Sequence, residues 1–181
     1  MIYLSCWQHR TRLNRDRTFD LPEAQMDRFL MKITLSYPER NEELMMLDMH
    51  KGKKTVTVNP VFTRKEIMML REEAAEIRIN DAVKEYIIDI VQMTRDHKHT
   101  ALGVSPRGTL GLMRAAMGVA LISERDYVTP EDIKYAAPYV LAHRVVLNIE
   151  GMTLTTGEEL IQDILNEVPV PVEFGVSRDE V

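Results

Sequence analysis

Asn80-Asp81-Ala82-Val83-Lys84-Glu85-Tyr86-Ile87-Ile88-Asp89-Ile90-Val91 decides the fold. Val83, Tyr86, Ile87, Ile90 and Val91 recur at helical intervals and form one apolar stripe, while Asp81, Lys84, Glu85 and Asp89 lie largely off it. Asn80 stands where its side chain can accept a hydrogen bond from an otherwise unpaired first-turn N–H. The spacing predicts a capped amphipathic helix that buries one face against neighbours.

The same punctuation recurs on both sides of this segment. Thr63-Arg64-Lys65-Glu66 is a capping-box pattern, followed by Ile67, Leu70, Ala74 and Ile77 at helical spacing. Ser105-Pro106 pairs an N-cap residue with proline at the first helical position, ahead of Leu110, Met113, Met117, Ala120 and Leu121 and an end near Ser123. Thr129-Pro130-Glu131-Asp132 repeats that device before Ile133, Ala136, Ala137, Val140 and Leu141. Thr156-Gly157-Glu158-Glu159 opens a last helix through Leu160, Ile161, Ile164 and Leu165, which Pro169 and Pro171 end. Lys32-Ile33-Thr34-Leu35 and Thr55-Val56-Thr57-Val58 alternate only weakly. The expected fold is therefore mainly α, with four or five packed helices from Thr63 onward and a boundary near Tyr37-Pro38.

With 181 residues, 45% of them hydrophobic, the chain is long enough for a sizeable core. It has no run of 18 apolar residues, and its start lacks the apolar stretch of a secretory signal, so membrane insertion and secretion are not expected and the cytoplasm is the default compartment. Residues 1–17 carry four Arg against Asp16, leaving 19 basic and 27 acidic groups in the remainder. An acidic body argues against nucleic acid as a partner, because phosphate neutralisation demands a basic face. Cys6 stands alone and excludes an internal disulfide framework.

Twelve methionines are more than ordinary usage, and Met45, Met46, Met49, Met68 and Met69 cluster on predicted helices. They are read as core filling, the alternative being an adaptable apolar groove for a partner. His97 and His99 fall at a polar helix end without a third nearby ligand, where a cation suits the helix dipole better than a metal site would explain them.

Two segments are more specific than any periodicity. Leu21-Pro22-Glu23-Ala24-Gln25-Met26-Asp27-Arg28-Phe29 resembles the signature of the MoxR family of AAA+ ATPases. Gly103-Val104-Ser105-Pro106-Arg107 resembles that family's sensor 2 region at the start of a lid helix. Arg125-Asp126-Tyr127-Val128-Thr129-Pro130-Glu131-Asp132-Ile133 is similar to the linker and helix that follow, and His143-Arg144 completes the order. The resemblance covers roughly residues 18–172. It implies a helical AAA+ lid domain preceded by a short remnant of an α/β nucleotide-binding core, the remnant over 18–37, the lid with its linker over 38–172 and a tail over 173–181.

No Gly-x-x-x-x-Gly-Lys-Ser/Thr loop and no apolar strand ending in paired acids occurs in these 181 residues. Backbone N–H groups and a lysine to cradle phosphates are therefore missing, as is the acid that anchors Mg²⁺. The expectation is the C-terminal half of such an ATPase, with ATP and Mg²⁺ belonging to the complete protein and no activity from this chain alone. Cys6 through Arg15 can be encoded by bases that, in another frame, spell Leu-Ala-Thr-Gln-Asn-Pro-Ile-Glu-Gln, similar to the family's sensor 1 segment. Residues 1–17 are accordingly read as frame-shifted.

By resemblance, Arg28 is an arginine finger that reaches the γ-phosphate held by a neighbouring subunit, a task suited to a permanently charged fork of donors. Its bland alternative is a structural arginine paired with Asp27 or Glu23. Arg107, again by resemblance, is the sensor 2 residue touching nucleotide in its own subunit. A cation in the first helical turn opposes the helix dipole, which hints that its use lies elsewhere. The family resemblance further implies hexameric rings, remodelling or maturation of other proteins, and partners bearing von Willebrand factor A domains. A non-enzymatic helical interaction module with Met-rich surfaces is the alternative reading.

Overall fold

The computed structural model describes residues 22–51 and 59–171. The frame-shift reading of residues 1–17, the weak alternation at Thr55–Val58 and the tail at 173–181 lie outside the described residues.

In chain order the elements are α1 (Glu23–Met26), α2 (Arg40–Lys51), α3 (Arg64–Glu76), α4 (Asp81–Asp96), β1 (Thr100–Leu102), α5 (Pro106–Ile122), α6 (Pro130–Leu141), a 3-10 turn (Ala142–Arg144), β2 (Val146–Leu147), α7 (Ile149–Leu154) and α8 (Gly157–Glu167). The caps form where the sequence places them. Asn80 accepts from the Val83 amide at 2.8 Å, and reciprocal Thr–Glu pairs start α3 and α8.

The core is built by α4, α5, α6 and α8. Every apolar residue of the α4 stripe is buried, as are Ile133, Ala136, Ala137, Val140 and Leu141 of α6 and Leu160, Ile161, Ile164 and Leu165 of α8. On α5, Ala120 of the expected face is buried and Met113, Met117 and Leu121 pack partly buried against the core, but the buried set is broader than the expected stripe. Leu110 is exposed, whereas Gly108, Gly111, Leu112, Ala115, Ala116 and Ala120 are buried. Small residues there let α6 approach closely along most of its length. Asp132 holds the α5–α6 corner. It is 3% exposed and takes both Arg125 terminal nitrogens, at 2.6 and 2.8 Å, together with the Thr129 amide at 2.8 Å and hydroxyl at 3.0 Å. Burial alone would raise its pKa, but the Arg125 and Thr129 bonds prevail and hold the carboxyl below its ordinary value.

Three expectations need correction. β1 and β2 pair antiparallel, Thr100 with Leu147 and Leu102 with Val146, a ladder too short for alternation to register. Lys32–Leu35 forms no strand. The clustered methionines are not core filling. Met45, Met46, Met49, Met68 and Met69 are 37–58% exposed, and neither α2 nor α3 contributes a buried residue. Among the described residues, no helix is long and apolar enough to cross a membrane.

Candidate functional site

Two short constructions bring the singled-out residues together. The first places Arg107. Buried Thr94 near the end of α4 donates to the Val91 carbonyl at 2.6 Å and accepts from the Val104 amide at 3.1 Å, while Arg95 Nε donates to the Val104 carbonyl at 2.9 Å. Gly103 permits this crossing, since a Cβ there would lie 2.6 Å from Arg95 Cα. The loop enters α5 through Pro106, so Arg107 stands in the first helical turn with its side chain 60% exposed.

The second places Arg144. The 3-10 turn carrying it follows α6 directly and lies under the start of α8, where a Cβ on Gly157 would come within 2.7 Å of the Ala142 carbonyl oxygen. From there the Arg144 side chain, only 2% exposed, crosses Gly108. A Cβ on Gly108 would sit 2.9 Å from Arg144 Cδ and 2.4 Å from a Val104 methyl.

The two constructions converge on Asp27. Arg144 Nε donates to Asp27 Oδ1 at 3.1 Å, and the Ser105 hydroxyl lies 3.0 and 3.1 Å from the two carboxylate oxygens. Arg107 Nη1 is 3.9 Å from Asp27 Oδ2. Arg144 also donates to the backbone carbonyls of Asp27 (3.2 Å), Phe29, Leu30 (3.1 Å) and Val140. Beyond these bonds, the Lys32 amide donates to the Tyr139 carbonyl at 2.9 Å. Ser105 thus occupies the expected N-cap position but spends its hydroxyl on Asp27 rather than on its own helix.

Arg28 does not join this junction. It is exposed, and its side chain has no hydrogen bond or ion pair among the described residues, while the neighbouring carboxylate of Asp27 is taken by Ser105 and Arg144. The bland expectation that Arg28 pairs with Asp27 or Glu23 is not what forms. Sequence reasoning placed Arg144 only in the family-like order of motifs and gave it no role. Its signal was an arginine embedded in Val140-Leu141-Ala142-His143-Arg144-Val145-Val146-Leu147, where burial of a charge requires a partner.

His143 shares this junction. Burial and the adjacent Arg144 push its pKa down to about 4, against the opposing hydrogen bond with the Phe29 carbonyl. The two contacts of Nε2 are alternatives: a bare Nε2 accepts from Arg144 Nη1 at 2.8 Å, whereas a protonated Nε2 donates to the Phe29 carbonyl at 3.2 Å. Between the ordinary value of 6.5 and about 4 the unfolded chain binds a proton that the folded chain refuses, so stability falls as the pH drops through that window. The melting midpoint is expected to decline from pH 6.5 toward 4 with a slope that His143→Gln reduces. An identical slope in that variant would remove His143 as its source.

A separate cleft of about 510 Å³ lies beside His97, Lys98 and His99, opposite Asp163 of α8. The two imidazole centroids are 5.4 Å apart. Among the described residues, no group of three or more His, Cys, Asp or Glu side chains is arranged to hold a metal ion.

The AAA lid domain family matches residues 92–164. The uncharacterised protein YeaC of Bacillus subtilis is 44% identical over 89% of this chain and 51% of its own length. Chaperone MoxR1 of Mycobacterium tuberculosis is 32% identical over 88% of the chain and 45% of its own. A crystal structure of a protein described as an ATPase from Cytophaga hutchinsonii superposes with a TM-score of 0.81 at 31% identity, covering 89% of this chain and 52% of that one. Over nearly nine-tenths of its length the chain is similar to MoxR-type AAA+ proteins, and it carries an AAA lid domain. It spans about half the length of the MoxR-family relatives it matches. The mainly helical AAA+ lid fold expected from the sequence is the one present, and the matched span takes in the end of α4, all of α5, α6 and α7, and most of α8.

Proposed function

We propose that this chain supplies the lid, and the segment carrying an arginine finger, to an ATP-hydrolysing MoxR-type assembly that remodels or helps mature partner proteins. The observation that carries the reading is the division of labour within Asp27-Arg28-Phe29. Asp27 and the backbone of Phe29 are turned inward and held by Arg144, leaving the Arg28 guanidinium exposed and unpaired among the described residues.

Arg107 is the second element. Its exposed guanidinium fits the phosphate end of ATP in the same subunit, as Arg28 fits a phosphate presented by the next. Both offer donors for the charge that develops on the transferring phosphoryl oxygens. ATP with Mg²⁺ supplies the phosphoryl group and its charge neutralisation. The described residues offer the two arginines to the phosphates but no cluster for the metal. We assign residues 18–37 to the edge of a nucleotide-binding core and 38–172 to the lid with its linker. A cytoplasmic hexamer, with partners bearing von Willebrand factor A domains, completes the proposal; the chain alone is expected to be inactive.

The test is a chimera in which this chain replaces the matching half of YeaC. Arg107→Ala there is expected to weaken nucleotide affinity and turnover at least several-fold. Unchanged affinity and turnover would remove Arg107 from the nucleotide site. The exposed methionines of α2 and α3 favour a second reading, a helical module that binds a partner through an apolar surface. A chimera that never hydrolyses ATP while the 181-residue chain captures an apolar helical peptide would favour it.

A further inference from the structure

The Asp27 junction joins two parts of the chain that are far apart in sequence and have different proposed tasks. On one side is the segment presenting Arg28; on the other are the start of α5, with Ser105 and Arg107, and the 3-10 turn with Arg144. We infer that Asp27 locks the Arg28 segment to the lid of its own chain, so that finger and lid move as one body.

The physical grounds are the number, burial and redundancy of the bonds. Arg144 is almost fully enclosed and spends its planar fork on one carboxylate oxygen and on carbonyls of Asp27, Phe29 and Leu30, which fixes both the position and the direction of the backbone on either side of Arg28. Ser105 adds a second attachment from a different element. The Lys32 amide on the Tyr139 carbonyl closes the far end. Arg107 is the loosest of the Asp27 partners, at 3.9 Å and largely exposed. A phosphate that draws Arg107 away would leave the Ser105 and Arg144 attachments in place.

The functional consequence rests on the roles proposed for Arg28 and Arg107. Nucleotide sensed by Arg107 shifts the lid, and the lid carries Arg28 with it toward or away from the pocket of the next subunit. Asp27, Ser105 and Arg144 are positioning residues in this scheme. None needs to touch substrate.

The coupling is tested first in the 181-residue chain. With Cys6 replaced by Ser, nitroxide labels on cysteines at Arg28 and at exposed Arg114 of α5 report the separation of finger segment and lid by dipolar electron spin resonance. The expected result is one narrow distance distribution, unchanged by Arg107→Ala and at least doubled in width by Asp27→Ala, with the helical circular-dichroism signal retained. If Asp27→Ala loses that signal, the milder Ser105→Ala takes its place and is expected to broaden the distribution to a smaller extent. A broad distribution in the unsubstituted network, or a narrow one that survives the substitution, overturns the inference. In the YeaC chimera, Asp27→Ala should lower kcat with little change in KM, and adding Arg28→Ala should cost little more, because both act through one group. A silent Arg28→Ala would remove the finger reading while leaving the measured coupling intact. A potent Arg28→Ala beside an unaltered distance distribution would do the reverse.

Discussion

Arg28→Ala in the YeaC chimera is expected to lower the ATP turnover number by about 10³–10⁵, the range attached to arginine fingers in phosphoryl transfer. Nucleotide affinity should be nearly unchanged, since the finger acts on the charge of the transition state in a neighbour's pocket rather than on ground-state binding. The side chain is exposed and unpaired among the described residues, so its removal breaks no hydrogen bond or ion pair among them. An equal loss of nucleotide binding, or a collapse of the melting midpoint, would show that Arg28 supports the local fold. Arg28→Lys should rescue little, because an ammonium lacks the planar fork.

The largest effect on stability is expected at Ile133. It is fully buried on α6, the element that packs along α5 and continues into the 3-10 turn bearing Arg144. Ile133→Ala should cost about 2–5 kcal/mol, combining lost transfer energy with the cavity left between packed helices. Met45→Ala on α2 should stay within about 0.5 kcal/mol, because Met45 is 58% exposed. Denaturant unfolding of the two variants measures the contrast. Comparable losses at both positions would mean that α2 belongs to the cooperative core.

These two positions also mark what the sequence made legible. The stripes around Ile87, Ile133 and Ile161 are all buried, because a 3.6-residue period in an element flanked on several sides leaves one way to exclude water. The same period over Ile67 and Leu70 of α3 gave a true helix, but those residues are exposed, since amphipathicity identifies an apolar face without identifying what covers it. β1 and β2 escaped notice because three residues against two carry no alternation. The roles proposed for Arg28 and Arg107 come only from their family-like surroundings. The Asp27–Arg144 pair was not legible, because its partners are 117 residues apart and no local pattern links them. Ser105 was read as a local cap, its oxygen accepting from the first turn of its helix, but its hydroxyl instead donates to a carboxylate from a distant segment.

The claim that Arg28 serves a neighbour's pocket is tested most directly by mixing chimeric subunits. Arg28→Ala subunits are combined with subunits whose phosphate-loop lysine is replaced, and ATP turnover is followed against each preparation alone. An Arg28→Ala subunit retains its own pocket, which the intact Arg28 of a neighbour can complete, so activity should reappear in the mixture. A parallel mixture made with Arg107→Ala should stay impaired, because that pocket carries the defect in its own lid. Recovery with Arg28→Ala and none with Arg107→Ala is the predicted result; equal behaviour of the two mixtures would contradict the assignment of Arg28 to the adjacent subunit.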